Sequence, residues 1–196
     1  MTTLVTTGDG NTPLSPEELA DLIPNLATKE ELNEWERENI LRAREWALLD
    51  RTSPLELISD WYIRKLHDRM FAETWKWAGK YRHTEKTIGV PFHEILDRLA
   101  ALLGDVHYWI GNSTYSVDEI AVRFHHRLVL IHPFPNGNGR HARLIGDVLV
   151  TKLGRPAFTW GSGNLVKRGE ARKQYLSAIE AADEGEIRPL LIFARS

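Results

Sequence analysis

The chain has no cysteine among its 196 residues, which excludes disulfides, thiolate zinc sites, iron–sulfur clusters and a thiol nucleophile. It also lacks a charge excess of either sign. Twenty-five Lys and Arg stand against 27 Asp and Glu, for a formal net charge of −2, so no global field draws the protein to nucleic acid and any polyanion has to be bound locally. No apolar run is long enough to span a membrane, and Met1 to Gly10 carries no basic, apolar leader. No membrane partner is therefore expected, and the protein is read as cytoplasmic. Internal repeats and low-complexity tracts are missing too. What remains is 42% hydrophobic and 27% charged, an ordinary globular balance on a chain long enough for one unstapled core.

Four copies of a helix-start signal punctuate the chain, at Ser15/Glu18, Thr28/Glu31, Ser53/Glu56 and Ser116/Glu119. In each, the hydroxyl can accept a first-turn N–H while the Glu three residues on reaches back to the cap. Pro16 and Pro54 follow two of them at the first helical position, where a missing N–H is harmless. Apolar residues recurring from Leu55 through Ile58, Leu66 and Met70, and from Phe92 through Leu99 and Val106, predict two amphipathic helices. A third is predicted from Ser116 to Ile131, a fourth from about Gly139 to Leu153 with Gly154 as its left-handed end, and two more over 168–182 and 187–194. The one β candidate is Thr84-Glu-Lys-Thr-Ile-Gly-Val-Pro91, read as a short hairpin. The fold class is thus all-α: a helical bundle with a short β-hairpin. Residues 1–13 are expected to be a flexible N-terminus, 14–52 a helical extension, and 53–196 the main domain.

Between two predicted helices lies His132-Pro-Phe-Pro-Asn-Gly-Asn-Gly-Arg-His-Ala-Arg143. Gly137 and Gly139 allow close backbone approach and left-handed conformations, and the helix that follows opens there with its N–H groups and positive dipole end. Arg140 and Arg143, three apart, present two guanidinium forks on one face of the first turn. A polyphosphate fits such a cradle better than a single anion. His132, on the rim of the same loop, is the side chain suited to exchange a proton near neutral pH, which makes it the candidate general base.

This stretch resembles the signature of the Fic (filamentation induced by cAMP) family, HxFx(D/E)GNGRxxR, at every fixed position but one. Asn136 stands where the family has Asp or Glu. Leu66-His67, Phe71 and the run Trp75-Lys-Trp-Ala-Gly-Lys-Tyr-Arg82 are similar to the family's approach to its flap, and Thr84 to Pro91 to the flap itself. From Gly10-Asn-Thr-Pro-Leu to Phe193-Ala-Arg-Ser196 the chain resembles the Fic subgroup called mobile mystery protein B. The resemblance implies a Fic-type bundle and a protein adenylyltransferase. His132 would deprotonate a Ser, Thr or Tyr hydroxyl of a target protein, which then attacks the α-phosphate of ATP. It further implies that Gly137, Asn138 and Gly139 hold the α-phosphate, Arg140 the β- and Arg143 the γ-phosphate. Phe134 would anchor the loop, Asn136 would face Mg²⁺, and Thr87, Ile88 and Gly89 would dock the target. A carbonyl oxygen in place of a carboxylate takes a full negative charge from the shell of a hard dication. The alternative functions are therefore a non-catalytic nucleotide-binding module and another Fic-type transfer of a phosphate-containing group.

Many Fic proteins carry an inhibitory helix, (S/T)xxxE(G/N), whose Glu pairs with the second motif arginine. Glu38-Asn39 matches its end, but Glu34 holds the place of the Ser or Thr. Glu38 is the inhibitory candidate, against the alternative that Glu34-Trp-Glu-Arg-Glu38 is a solvated face. An antitoxin-like regulatory partner is among the expected partners, with the target and the nucleoside triphosphate; nucleic acid is not. His125, His126, His132 and His141 repeat no metal-ligand spacing. Lys167-Arg168 with Arg172-Lys173 is broken by Glu170 and reads as a solvated helix start. Trp75, Trp77 and Trp160 are assigned to the core.

Overall fold

The computed structural model describes residues 14–162, 165 and 169–196. The expected fraying of residues 1–13 and the pair Lys167-Arg168 lie outside the described residues. In chain order the helices are α1 (Pro16–Ala20), α2 (Lys29–Leu49), α3 (Pro54–Leu57), α4 (Asp60–Phe71), α5 (Ile95–Gly111), α6 (Val117–Ile131), α7 (Asn138–Lys152), α8 (Glu170–Asp183) and α9 (Arg188–Arg195). Single 3₁₀ turns stand at Phe92–Glu94 and Trp160–Ser162.

Three of the four start signals close as reciprocal boxes, at Ser15, Thr28 and Ser53. At the fourth, Ser116 accepts the Glu119 N–H at 3.2 Å, but the Glu119 carboxylate turns to Arg123 Nε at 2.9 Å. The cap itself suffices to start α6. The periodic run from Pro54 breaks in two, because Ser59 accepts the Tyr62 N–H at 3.2 Å and opens α4 as a new helix. Its hydroxyl offers the backbone a bond that competes with helix continuation, a signal that apolar periodicity alone hides.

Helices α6 and α7 form the central pair, α5 and α9 pack on α6, α2 lies along α4, and α8 pairs with α9. Met70 and Phe71 from α4, Phe124 and Leu128 from α6 and Ile145 and Val148 from α7 fill the interior. Phe134, between α6 and α7, is driven into the same core. Burying a ring of that size contributes roughly 1.5–3 kcal/mol, enough to pin the loop that carries it.

The expected hairpin is a correction. Residues 84–91 contain no strand, and the only β pairing among the described residues is an isolated bridge between Leu22 and Trp75. One buried side chain does what a facing strand would do. Arg82 donates to the carbonyls of His132 (2.7 Å), Thr84 (2.9 Å) and Val90. Its own backbone N–H donates to Pro133 O at 2.9 Å, and Val90 N–H to Ile131 O at 3.3 Å. A guanidinium with five donors satisfies carbonyls that are otherwise paired by a ladder. The far side of the segment rests on α1, where the Glu18 carboxylate takes Lys86 Nζ at 2.5 Å and the Thr84 hydroxyl at 3.2 Å. No helix among the described residues is long and apolar enough to cross a membrane.

Candidate functional site

α6 ends on His132, whose backbone is left-handed (φ 54°, ψ 59°). A non-glycine residue is disfavoured there by roughly 1–2 kcal/mol, and the Arg82 bonds to His132 O and Pro133 O hold it in place. Gly89, also at positive φ (101°), lies against it. A Cβ on Gly89 would come within 2.5 Å of the His132 Cβ. The segment 84–90 thus crosses directly over the histidine, leaving Thr87, Ile88 and Gly89 exposed at its outer edge.

The loop after His132 is tied by its own residues. The Asn138 side chain accepts the Phe134 N–H at 2.9 Å and donates to Phe134 O at 2.8 Å. Asn138 is therefore a clip, with only its backbone turned to the helix start. Gly137 caps α7 at φ 78°, where a Cβ would strike the Phe71 ring at 2.6 Å. Beyond it α7 has no acidic residue in its first turn, unlike α1, α2 and α6. No side-chain cap hydrogen bond is made at this helix start among the described residues, and its positive dipole end faces no first-turn carboxylate of its own.

His67 sets the loop from below. The Gly79 N–H can only donate, and it donates to Nδ1 at 3.1 Å, so Nε2 carries the ring proton and donates to Asn136 O at 3.1 Å. The ring stacks on Phe134 with centroids 3.7 Å apart. Burial, helped by neighbouring His141, holds its pKa well below the usual histidine range and fixes that tautomer.

His132 is 5% exposed. Burial first, then the Arg82 charge, lowers its pKa to about 4 against the pull of a hydrogen bond to the Val129 carbonyl. It is neutral at pH 7, with one ring N–H on Val129 and a lone pair on the other nitrogen. Four histidines stood together in the sequence, yet they serve different networks. His125 meets the Tyr175 hydroxyl, His126 meets Asp183, and His141 donates to Ile63 O. No cluster of three or more His, Asp or Glu among the described residues could hold a metal.

The Asn136 amide oxygen accepts the Gly137 N–H at 2.6 Å and Arg140 Nη2 at 3.3 Å. With both lone pairs engaged and a guanidinium beside it, this donor set does not fit a dedicated Mg²⁺.

Arg140 and Arg143 leave α7 on one face but meet different partners. Arg140 Nη1 lies 2.5 Å from the Glu36 carboxylate, whose other oxygen accepts the Trp75 indole N–H at 2.8 Å. Arg143 lies over the Tyr175 ring, 5.2 Å from its centroid. The inhibitory candidate Glu38 is corrected by this geometry. It is exposed, and no ion pair joins it to Arg143 among the described residues. Two residues along a helix turn a side chain by about 200°, so Glu36 and Glu38 face opposite ways and Glu36 is the one turned inward. A signal for Glu36 did exist. It continues the buried stripe Leu32, Asn39, Ala43 and Ala47 of α2, and a carboxylate on a buried stripe demands a partner. Tyr175 was unreadable, because its partner His125 lies 50 positions off in the chain.

Residues 57–150 match the sequence model of the Fic/DOC family. A Caenorhabditis briggsae protein named Protein adenylyltransferase fic-1 is 33% identical over 121 residues, covering 58% of this chain and 22% of that protein. Protein adenylyltransferase Fic of Drosophila grimshawi is 32% identical over 120 residues, 59% of this chain and 23% of its own. The chain thus spans less than a quarter of the length of the curated relatives it matches. Among solved structures, Caenorhabditis elegans Fic-1 superposes with a TM-score of 0.64 at 25% identity, over 91% of this chain and 51% of that one. The N-terminal Fic domain of a Bartonella quintana protein, solved with bound ADP, shares the fold at TM-score 0.65 and 20% identity, over 88% and 87% of the two chains.

Proposed function

This chain is a member of the Fic/DOC family through residues 57–150, and from that premise we propose that it is a protein adenylyltransferase, moving AMP from ATP to a hydroxyl of a target protein in the cytoplasm. The observation that carries the reading is the juxtaposition of a neutral, buried His132 with a helix start that has no acidic first-turn residue and with two arginine forks one turn apart. In this reading residues 53–196 are the transferase unit and 14–52 an extension packed on it.

His132, neutral at pH 7, takes the proton of a Ser, Thr or Tyr hydroxyl on its unprotonated ring nitrogen. The hydroxyl oxygen bonds to the α-phosphorus, the bond from that phosphorus to the bridging oxygen breaks, and pyrophosphate leaves. The N–H groups around Gly137, Asn138 and Gly139 receive the α-phosphate oxygens, Arg140 the β-phosphate once it parts from Glu36, and Arg143 the γ-phosphate. Donors carried on a helix start stabilise the developing charge, and Arg140 adds to them once Glu36 releases it. The exposed edge Thr87, Ile88 and Gly89 receives the target segment beside His132. Mg²⁺ enters this reading only as a companion of the nucleotide's own phosphates, since the donors of this chain do not fit it, and no step is routed through it.

Incubation with ATP labelled on the α-phosphate tests the proposal. Label should appear on protein from α-labelled and not from γ-labelled ATP, and should vanish in His132→Ala. Label from the γ-position would instead mean phosphoryl transfer. No transfer by the wild type and by a variant freed of Glu36 would leave a nucleotide-binding module.

A further inference from the structure

The two arginines of the α7 face are held in chemically opposite ways. Arg140 is matched by a carboxylate. Arg143 has no carboxylate within ion-pair distance among the described residues, and the nearby Asp147 spends its Oδ1 on the Trp160 indole (2.9 Å) and the Phe158 N–H (3.3 Å). Arg143 lies instead over the ring of Tyr175 of α8, 5.2 Å from its centroid.

The Tyr175 hydroxyl is 3.0 Å from Nε2 of His125 on α6, and His125 is fully buried against Trp160. The Tyr175 hydroxyl and His125 Nε2 share that bond, so the ring that faces Arg143 is anchored at its polar end. Burial, then the Arg143 charge, push the His125 pKa well below the usual histidine range, so the anchor is neutral. The result is a guanidinium placed by a phenol ring and a neutral histidine, with the Asp147 carboxylate acting on it only from beyond ion-pair distance. Filling this volume with Phe and Leu would build as good a core, and the polar pair does what an apolar core cannot, which is to aim a cation and leave its charge for an anion.

We propose that Tyr175, backed by His125, is a positioning residue that aims Arg143 at the terminal phosphate of a nucleoside triphosphate, and so sets the preference of the site for triphosphate over diphosphate. This rests on the reading of Arg143 as the γ-phosphate ligand. The test is calorimetric titration of the whole chain with ATP and with ADP. Tyr175→Phe, which removes one oxygen and keeps the ring, should weaken ATP about tenfold and ADP less than twofold, raising KM for ATP in the transfer reaction with little change in kcat. Arg143→Ala should lose ATP selectively and more, and adding Tyr175→Phe to it should have no further effect. His125→Gln, which can still hydrogen-bond the hydroxyl, should keep the wild-type ATP-to-ADP ratio, whereas His125→Leu should mimic Tyr175→Phe. A purely structural role would move both nucleotides together with the melting temperature. Equal losses for ATP and ADP, or none, in Tyr175→Phe while Arg143→Ala stays ATP-selective would overturn the inference alone. Loss of that selectivity in Arg143→Ala would overturn the reading of Arg143 and the inference with it.

Discussion

Glu36 and Arg140 are 104 positions apart in the chain and 2.5 Å apart in space. The pair links α2 to α7, the helix that opens the proposed phosphate cradle. Glu36 is 4% exposed, so neither charge is well screened by water, and the guanidinium proposed for the β-phosphate is engaged before any nucleotide arrives.

Glu36→Gln keeps an oxygen for the Trp75 indole while removing the charge that holds Arg140. ATP binding and transfer should both rise at least severalfold, in line with the roughly 1–3 kcal/mol typical of coupling between sites. The melting temperature should fall, because a partly buried arginine loses its counter-ion. Glu38→Gln, on the exposed side of α2, should change neither property in calorimetric and labelling assays.

His132→Ala should abolish transfer, a loss of at least about 100-fold for a positioned base, and leave the Kd for ATP within about a factor of two. Because the His132 pKa is lowered to about 4, the acid limb of kcat/KM should centre near pH 4 and not near 6.5. A limb at 6.5 would point to a different base.

Gly89→Ala puts a Cβ 2.5 Å from the His132 Cβ at a φ of 101°. Transfer should drop at least tenfold while ATP binding persists. Gly104, inside α5 with nothing within 4 Å of an added Cβ, is the matched control. There an alanine should stabilise the protein by about 0.5–1 kcal/mol in urea unfolding and leave activity unchanged.

Asn136→Asp supplies the charge that the amide lacks. The Mg²⁺ concentration giving half-maximal ATP binding should fall severalfold against the wild type in magnesium titrations. An unchanged requirement would mean that the ion answers to the phosphates alone.

Acid should destabilise the fold well before the carboxylates titrate. The buried His132 and His141 have pKa values lowered to about 4, and His67 and His125 lie well below the usual range. Between about pH 6.5 and 4 the unfolded chain therefore binds more protons, so stability is full above 6.5 and is lost as pH falls through that window. Each of the two histidines near 4 contributes roughly 3 kcal/mol. Asp147, raised to about 6 by burial, works in the opposite sense, but it is one group against four. Urea unfolding at pH 7.5, 6 and 5 should show a monotonic fall in stability.

The loop proposed to bind phosphate could be picked out because its parts adjoin in sequence. His132, Gly137 and the two arginines fall within twelve positions, and helix geometry alone puts Arg140 and Arg143 on one face. Helix starts at Ser15, Thr28 and Ser53 were legible for the same local reason. The break at Ser59 was masked by an apolar period that runs through it. The hairpin was read from β-branched residues at 84–91, and that reading failed because a side chain outside the segment, Arg82, satisfies its carbonyls. Glu36, His67 and Tyr175 act across tens of residues, a distance over which no local pattern speaks.

Glu18 closes the capping box of α1 and, with the same carboxylate, holds Lys86 and Thr84 of the segment that crosses His132. A helix of five residues is too short to persist without docking, and a segment without strands has no ladder to lend it cooperativity. Joined through one carboxylate, the two share an anchor. Removing that carboxylate would cost α1 its box and the segment over His132 its outer support in one step, while Arg82 still holds the inner side, so a residue more than 100 positions before the histidine bears on how the segment above it sits.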